Sequence, residues 1–225
     1  MDTPRRRWQG LLVLLLCIFF VRSTVIDWNH VPSRSMAPTV LPGDRILVNK
    51  LAFGLRLPMT AKPLFQWASP RRWDVVIFDA PNNGVLMVKR VIGLPGDTVS
   101  WQDDHLRING VEASYQAIPE SRWAPSLERD FSHNRLLRES IFRNDRAIFR
   151  HRESPGKKGS GFETVKVPKG HYLVLGDNRD NSGDYRAFGF VPESAISGKT
   201  SQVLFSLDPN NGYLPRWRYG QSLLD

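Results

Sequence analysis

The stretch DVVIFDAPNNGVLMVKRVIGLPGDTVSW, residues 74–101, decides the fold. Asp74–Phe78 and Val85–Ile92 are apolar runs of strand length, rich in β-branched residues and joined by the turn-like linker APNNG. GLPGD, residues 93–97, is a second turn, and Thr98–Trp101 reads as a third strand. Lys89 and Arg90 interrupt the second run side by side. Strand alternation sends them to opposite faces, so that one enters a site while the other meets solvent or a carboxylate. Lysine is almost never fully buried without a reason. The plainer alternative is an edge-strand lysine facing water.

Working outward, Arg45–Lys50 reads as a strand and residues 53–72 as a proline-punctuated loop with exposed apolar groups. Ser33–Asp44 is rich in turns, with Pro38, Pro42 and Gly43. On the other side, residues 103–110 predict a short hairpin around Asn109-Gly110. Residues 120–161 are rich in Arg, Glu, Ser and Asn and end in SPGKKGSG; they read as a mobile excursion with some helix, or an inserted subdomain. His171–Leu175 and residues 198–206 return to strand. The tail from Asp208 to Asp225 carries Trp217 and Arg218, suited to a return to the membrane surface. There is no internal repeat. The expected fold class is mainly β: a membrane-anchored, two-domain antiparallel β fold with one N-terminal transmembrane helix.

The 225 residues, 41% hydrophobic, suffice for one large or two small cores. The formal net charge of +9 suits nucleic acid or an anionic membrane surface. The N-terminus favours the membrane. Residues 8–26, WQGLLVLLLCIFFVRSTVI, follow Arg5, Arg6 and Arg7, and a helix of that length spans about 28 Å at 1.5 Å per residue. Arg22 sits near the far end, where its stem can reach headgroups. Leu11–Val21 also has the length of a signal-peptide core, but no small-x-small cleavage site follows it. The arginine triplet places the N-terminus in the cytoplasm. The expected organisation is a cytoplasmic N-terminus (1–7), an anchor (8–26), the first part of a core (27–102), an inserted or second subdomain (103–165), and the closing part of the core with its tail (166–225). The single cysteine, Cys17, excludes an internal disulfide or a cysteine-rich metal site.

Two residues carry the chemistry. Ser35 lies in SRSMAPT, a proline-stiffened loop that exposes its backbone. Most isolated serines merely cap turns, yet such a loop also presents a nucleophile. A serine hydroxyl needs a base, and a lysine serves only if apolar burial lowers its pKa. Lys89 has that setting. The run GDNRDNSGDYR, residues 176–186, brings Asp177, Arg179, Asp180, Asp184 and Arg186 together to pair among themselves or with Arg90. A calcium loop is the rival, but an arginine stands among the carboxylates and no glutamate closes a twelve-residue loop. The histidines lack metal-ligand spacing, and neither metal nor cofactor is expected. A Ser-His-Asp triad has nothing pointing to it.

The anchor, PSRSMAPT, GDRILVNK, WDVVIF, VKRVIGLPGD, GDNRDNSGDYR and GFVP, in that order, closely resemble the bacterial type I signal peptidase (leader peptidase) family. The resemblance spans nearly the whole chain except residues 103–165. It implies a β-rich two-domain fold on a membrane anchor and a serine endopeptidase that cleaves signal peptides after small-x-small sites. By motif position it implies Ser35 as nucleophile and Lys89 as general base. Ser33 and the Ser35 N–H would form the oxyanion hole, Ser182 would orient Lys89, and Arg90, Asp177, Asp184 and Arg186 would brace the site. Val31, Pro32, Met36, Val40, Met87 and Val88 would line small apolar substrate pockets. The implied partners are signal peptides of exported preproteins, anionic membrane lipids and the secretion translocon, with no nucleic acid. The implied location is the inner (cytoplasmic) membrane, single-pass, with the catalytic part on the periplasmic or extracytoplasmic side. Arg34 stands where glycine is frequent, Tyr185 where serine is usual and Trp73 where glycine is common. Arg34 puts a cation beside the site. Rival readings are a specialised processing peptidase of the same fold with a narrow substrate (a pilin or conjugation protein), and a non-enzymatic, membrane-tethered assembly module. A self-cleaving repressor would need a DNA-binding module in place of the anchor.

Overall fold

The computed structural model describes residues 4–56, 63–122, 127, 131–152 and 161–216. Helix α1 (Pro4–Thr24) leads into β1 (Ile26–His30), β2 (Asp44–Asn49) and the hairpin β3 (Gly54–Arg56) with β4 (Pro63–Gln66). Next come β5 (Val75–Asp79), β6 (Leu86–Gly93), β7 (Thr98–Gln102), β8 (His105–Ile108) and β9 (Val111–Glu112). β10 (Ser114–Ala117), β11 (Asn134–Ile141), β12 (Asn144–His151), β13 (Phe162–Lys166) and β14 (His171–Leu175) follow. The chain closes through the short helix α2 (Tyr185–Phe188), β15 (Val191–Pro192), β16 (Ile196–Asp208) and β17 (Leu214–Arg216).

An eight-stranded sheet runs β1-β2-β16-β5-β6-β14-β15, with β17 beside β16. Three smaller sheets, β13-β7-β8-β9, β10-β11-β12 and β3-β4, complete the fold, and the ladders are antiparallel. The run VVIF is continuously apolar because β5 is covered on both faces. Val75 and Ile77 pack with Val31, Met36, Ile46 and Val203, while Val76 and Phe78 pack with Val91, Tyr172, Val174 and Ile196. β14 works the same way: Leu173 and Leu175 join the core around Trp101, and Tyr172 and Val174 join the other. Each such fully buried aliphatic or aromatic side chain contributes roughly 1.5–3 kcal/mol over exposure.

The expected strands appear, with ends moved by one or two residues. The hairpin turn at Asn109-Gly110 has both residues at positive φ, 52° and 81°, as a two-residue turn between right-twisted strands requires. Besides residues 53–72, read as a loop but holding the hairpin β3-β4, two expectations are corrected. The helix does not run over 8–26 but over Pro4–Thr24, and Ile26 already pairs with Asn49 as the first residue of β1. Lys50 caps the end of the helix: its Nζ donates to the carbonyls of Arg22 and Ser23 in the last turn. Arg22 folds back, 3.5 Å from Asp27 and over the ring of Trp28. Among the described residues no helix is long and apolar enough to cross a membrane.

The second correction concerns residues 120–161. Among the described residues there, Glu120–Arg122 form a 3-10 turn, Leu127 and Phe131 are helical, and the eight-residue strands β11 and β12 form a regular hairpin that the expected excursion did not include; most of the SPGKKGSG run lies outside the described residues. The hairpin is tied down at its root. Phe131 and Phe149 stack at 4.8 Å beneath Ala37 and Leu41 of the Ser35 loop. Phe149 N–H donates to the Asp177 carbonyl and Arg179 N–H donates back to Phe149. Polar composition hid this because the hairpin's buried positions include Glu139, Arg146 and Arg150 as well as apolar residues. Trp217 and Arg218 lie outside the described residues.

Candidate active site

Ser35 sits in a tight turn between β1 and β2. Ala37 N–H donates to the Arg34 carbonyl, and Val40 N–H to that of Met36. The turn is anchored from the other side of the cleft, where Asn178 N–H donates to the Ser35 carbonyl at 3.0 Å and Asn178 Nδ2 to the Arg34 carbonyl at 3.1 Å. Lys89 comes from the middle of β6, opposite Val76 of β5. Its Nζ donates to Ser35 Oγ at 2.7 Å and to the Val88 carbonyl at 3.1 Å. Ser35 is 8% exposed and Lys89 4%. Ser33 Oγ lies 3.2 Å from Ser35 Oγ, and the Ser35 N–H has no acceptor among the described residues.

Burial lowers the Lys89 pKa to about 8, against the opposing pull of Asp184 and Asp177. Neither carboxylate forms an ion pair with it, since each is held by an arginine. Arg90 leaves the opposite face of the strand, as alternation predicts. Its Nε and Nη2 grip Asp177 at 2.9 and 2.8 Å, and Thr39 Oγ1 adds a bond to Asp177 at 2.5 Å. Burial pushes Asp177 up, but Arg90 and Thr39 outweigh it and hold the carboxyl below its ordinary value. Asp184 accepts from Gly176 N–H and pairs with Arg186 at 2.8 Å. Gly176 has no room for a side chain: a Cβ there would collide with the Ser35 carbonyl oxygen and Ser182 Oγ.

Behind these lies a cluster that the sequence did not announce. Arg179, 0% exposed, pairs in bidentate fashion with Glu139 of β11 at 2.5 and 2.7 Å. Arg146 Nε is 3.1 Å from Glu139, without a well-aligned hydrogen bond, and its guanidinium carbon lies over the Trp73 ring, 3.3 Å from the centroid. Burial pushes Glu139 up, and the two arginines more than reverse this. Asp180, from the same loop, takes Arg150 Nε and the His151 N–H.

Around Ser35 and Lys89 opens a cleft of about 400 Å³. Val31, Pro32, Met36, Met87 and Val88 line it. Val40 does not: it is fully buried in the core under the loop, because the turn from Met36 carries it inward. Ser182 is close by, but its Oγ is buried with no hydrogen-bond partner, so the expected bond to Lys89 is not formed. Thr39, Asn178 and Glu139 were missed from sequence. The first two adjoin residues already singled out; Glu139 has no local signal, since its partners lie 7 and 40 residues away along the chain.

The family model described as "Signal peptidase, peptidase S26" matches residues 5–205. A signal peptidase I of Pseudomonas aeruginosa is 33% identical, covering 93% of this chain and 75% of the relative. That of Pseudomonas fluorescens is 35% identical with the same shares, and that of Buchnera aphidicola from Acyrthosiphon pisum is 32% identical over 90% and 75%. Among solved structures, a signal peptidase I from Enterococcus faecalis V583 shares 36% identity over 58% of this chain and 95% of that chain. Its TM-score of 0.35 is too low to bear on the fold.

Proposed function

This chain belongs to the signal peptidase family, peptidase S26, and from that premise we propose that it is a membrane-bound serine endopeptidase. It uses a Ser35/Lys89 dyad to remove signal peptides from exported preproteins after small-x-small sites. One observation carries the reading: a lysine amine 2.7 Å from a serine hydroxyl, both buried, with no counter-ion on the lysine among the described residues. Such an amine loses its proton near neutrality and becomes a base.

In the proposed reaction, neutral Lys89 accepts the Ser35 proton as Oγ attacks the scissile carbonyl carbon. The oxyanion is met by the Ser33 hydroxyl and the Ser35 N–H, donors that act most strongly once the charge has formed. Lys89 then gives its proton to the leaving amine, the C–N bond breaks, and an ester on Ser35 remains. A water, deprotonated by Lys89, hydrolyses the ester and restores the serine. Asp177, Asp184, Arg90 and Arg186 position the walls of the site, and Ser182 packs against Gly176 beside it.

The substrate pairs with β6 where that strand has a free edge, and alternate side chains fall into the apolar lining. Bulky or charged groups find no room or partner there. In this reading the apolar run of helix α1, within Pro4–Thr24, is the attachment to the inner membrane, with the arginine triplet cytoplasmic and the catalytic part outside. Anionic lipids and the translocon are its neighbours in this reading. The test is incubation of the purified protein with a preprotein bearing alanine at −1 and −3. Cleavage at that one bond is expected, lost with Ser35→Ala and with a −1 Ala→Phe substrate. Equal processing of the Phe substrate refutes the pocket assignment, and processing by Ser35→Ala refutes the dyad. The specialised-peptidase reading draws on Arg34, which lines the cleft.

A further inference from the structure

The cleft has two unlike ends. On one side of β6, Met87, Val88 and Lys89 pair with Phe78, Ile77 and Val76 of β5. On the other side β14 joins only from Arg90 onward, through Leu175. An added peptide strand can therefore follow the free edge as far as Lys89 and no further. The residues before the scissile bond lie along that edge, against Met87, Val88, Val31 and Met36. Past Lys89 the edge is occupied, and the substrate must leave it where Arg34, Asn181 and Gly183 line the cleft.

Arg34 is the link between Ser33 and Ser35. Its carbonyl is held by Asn178 Nδ2 and Ala37 N–H, so its backbone is set by the loop. Its side chain is exposed and reaches toward Phe131, with the guanidinium 5.6 Å from the ring centroid. Phe131 packs on Phe149, whose backbone is bonded to Asp177 and Arg179. That is the side of the 176–186 loop. Arg34 has no counter-ion among the described residues. The cleft is lined by no Asp or Glu; its other ionisable groups are His30 and Lys89. A cation without a counter-ion among the described residues, in a cleft whose described lining holds no carboxylate, favours an anionic partner and discourages a cationic one.

We propose that Arg34 selects substrates that carry a carboxylate in the first two residues after the scissile bond. The proposal rests on the signal peptidase reading and narrows its substrate class. The experiment compares peptides with alanine at −3 and −1 that differ only in Asp, Asn or Lys at +1 or at +2. The expected order of kcat/KM is Asp, Asn, Lys, with Asp about three- to fivefold over Asn, the size of a partly exposed ion pair. The advantage shrinks as salt is raised. Arg34→Gln should level the series and Arg34→Glu should invert it. A wild-type spread below twofold, an unchanged order in both variants, or the same advantage from an acid at −2 instead overturns the proposal. Affinity of the same peptides for Ser35→Ala ranks them without catalysis. Preferential binding of the Asp peptide with no cleavage by the wild type breaks the peptidase reading alone, whereas equal binding and equal cleavage break the Arg34 assignment alone.

Discussion

Lys89 and Arg90 are consecutive residues of one strand, 4% and 3% exposed, and the two faces of β6 treat their charges in opposite ways. On one face Lys89 meets a hydroxyl and a carbonyl but no carboxylate within ion-pair distance, and its pKa falls to about 8. On the other face Arg90 is gripped by Asp177, and next to it Arg179 by Glu139. Burial penalises every one of these cations. What separates a base from a strut is whether a carboxylate is set in direct contact. The guanidinium reinforces the division, because it does not give up its proton and fits a carboxylate with two parallel bonds. The same loop, 176–186, thus stiffens the site with ion pairs while leaving its lysine unpaired.

The largest effect should come from erasing the unpaired side. Ser35→Ala and Lys89→Arg are each expected to reduce preprotein cleavage by at least about 10⁴-fold, since the two act as a unit and arginine cannot serve as base. Cleavage assays with both variants check this. Lys89→Arg retaining a tenth of the activity would remove the distinction between the two faces.

On the paired side the expected loss is in stability. Glu139→Gln leaves Arg179 and Arg146 buried without their counter-charge and should cost about 3–5 kcal/mol in urea unfolding. A change under 1 kcal/mol would mean that the cluster does not hold the fold together. Ser33→Ala should cost about 10²–10³ in kcat, with KM little changed, because the oxyanion exists fully only at the tetrahedral stage. If Ser33 only shapes the turn, melting temperature falls and kcat stays.

The smallest effect carries the opposite sign. Lys89 binds its proton more weakly when folded (about 8) than when unfolded (10.5), so the unfolded chain holds more protons between those values. Lys89 therefore destabilises the fold below about pH 8, and stability recovers as pH rises from there to 10.5. Lys89→Met should raise stability at pH 7 by about 1–3 kcal/mol, with the gain fading toward pH 10.5. Activity should climb with pH through the same value near 8 and then level off. A destabilised Lys89→Met, or a rate still climbing at pH 10, contradicts an unpaired, desolvated lysine.

Residues 74–101 show what was legible. Their apolar runs and turns read as three strands, and β5, β6 and β7 occupy those places. The alternation of Lys89 and Arg90 was also legible, but whether Arg90 meets solvent or a carboxylate was not. Residues 134–151 were not, because a strand whose buried positions include Glu139 and Arg146 carries no apolar period to detect. Ser182 and Val40 were assigned by motif position, yet one makes no bond to Lys89 and the other lies under the loop instead of in the cleft. Motif position gives the neighbourhood of a side chain but not its direction.

The sequence by itself determined the local matters: which runs are strands, where the turns fall, and which serine and which lysine are available for chemistry. These follow from backbone preference and apolar alternation over a few residues, and need no knowledge of distant partners. Only the tertiary structure decided that Ser35 and Lys89, 54 residues apart, meet at 2.7 Å, and that Asp177 and Asp184 are taken by arginines before they can reach the lysine. Charge pairing in a core depends on contacts between residues far apart in the chain. A carboxylate within a few ångströms rescues a buried cation, and one slightly farther away leaves it ready to lose its proton.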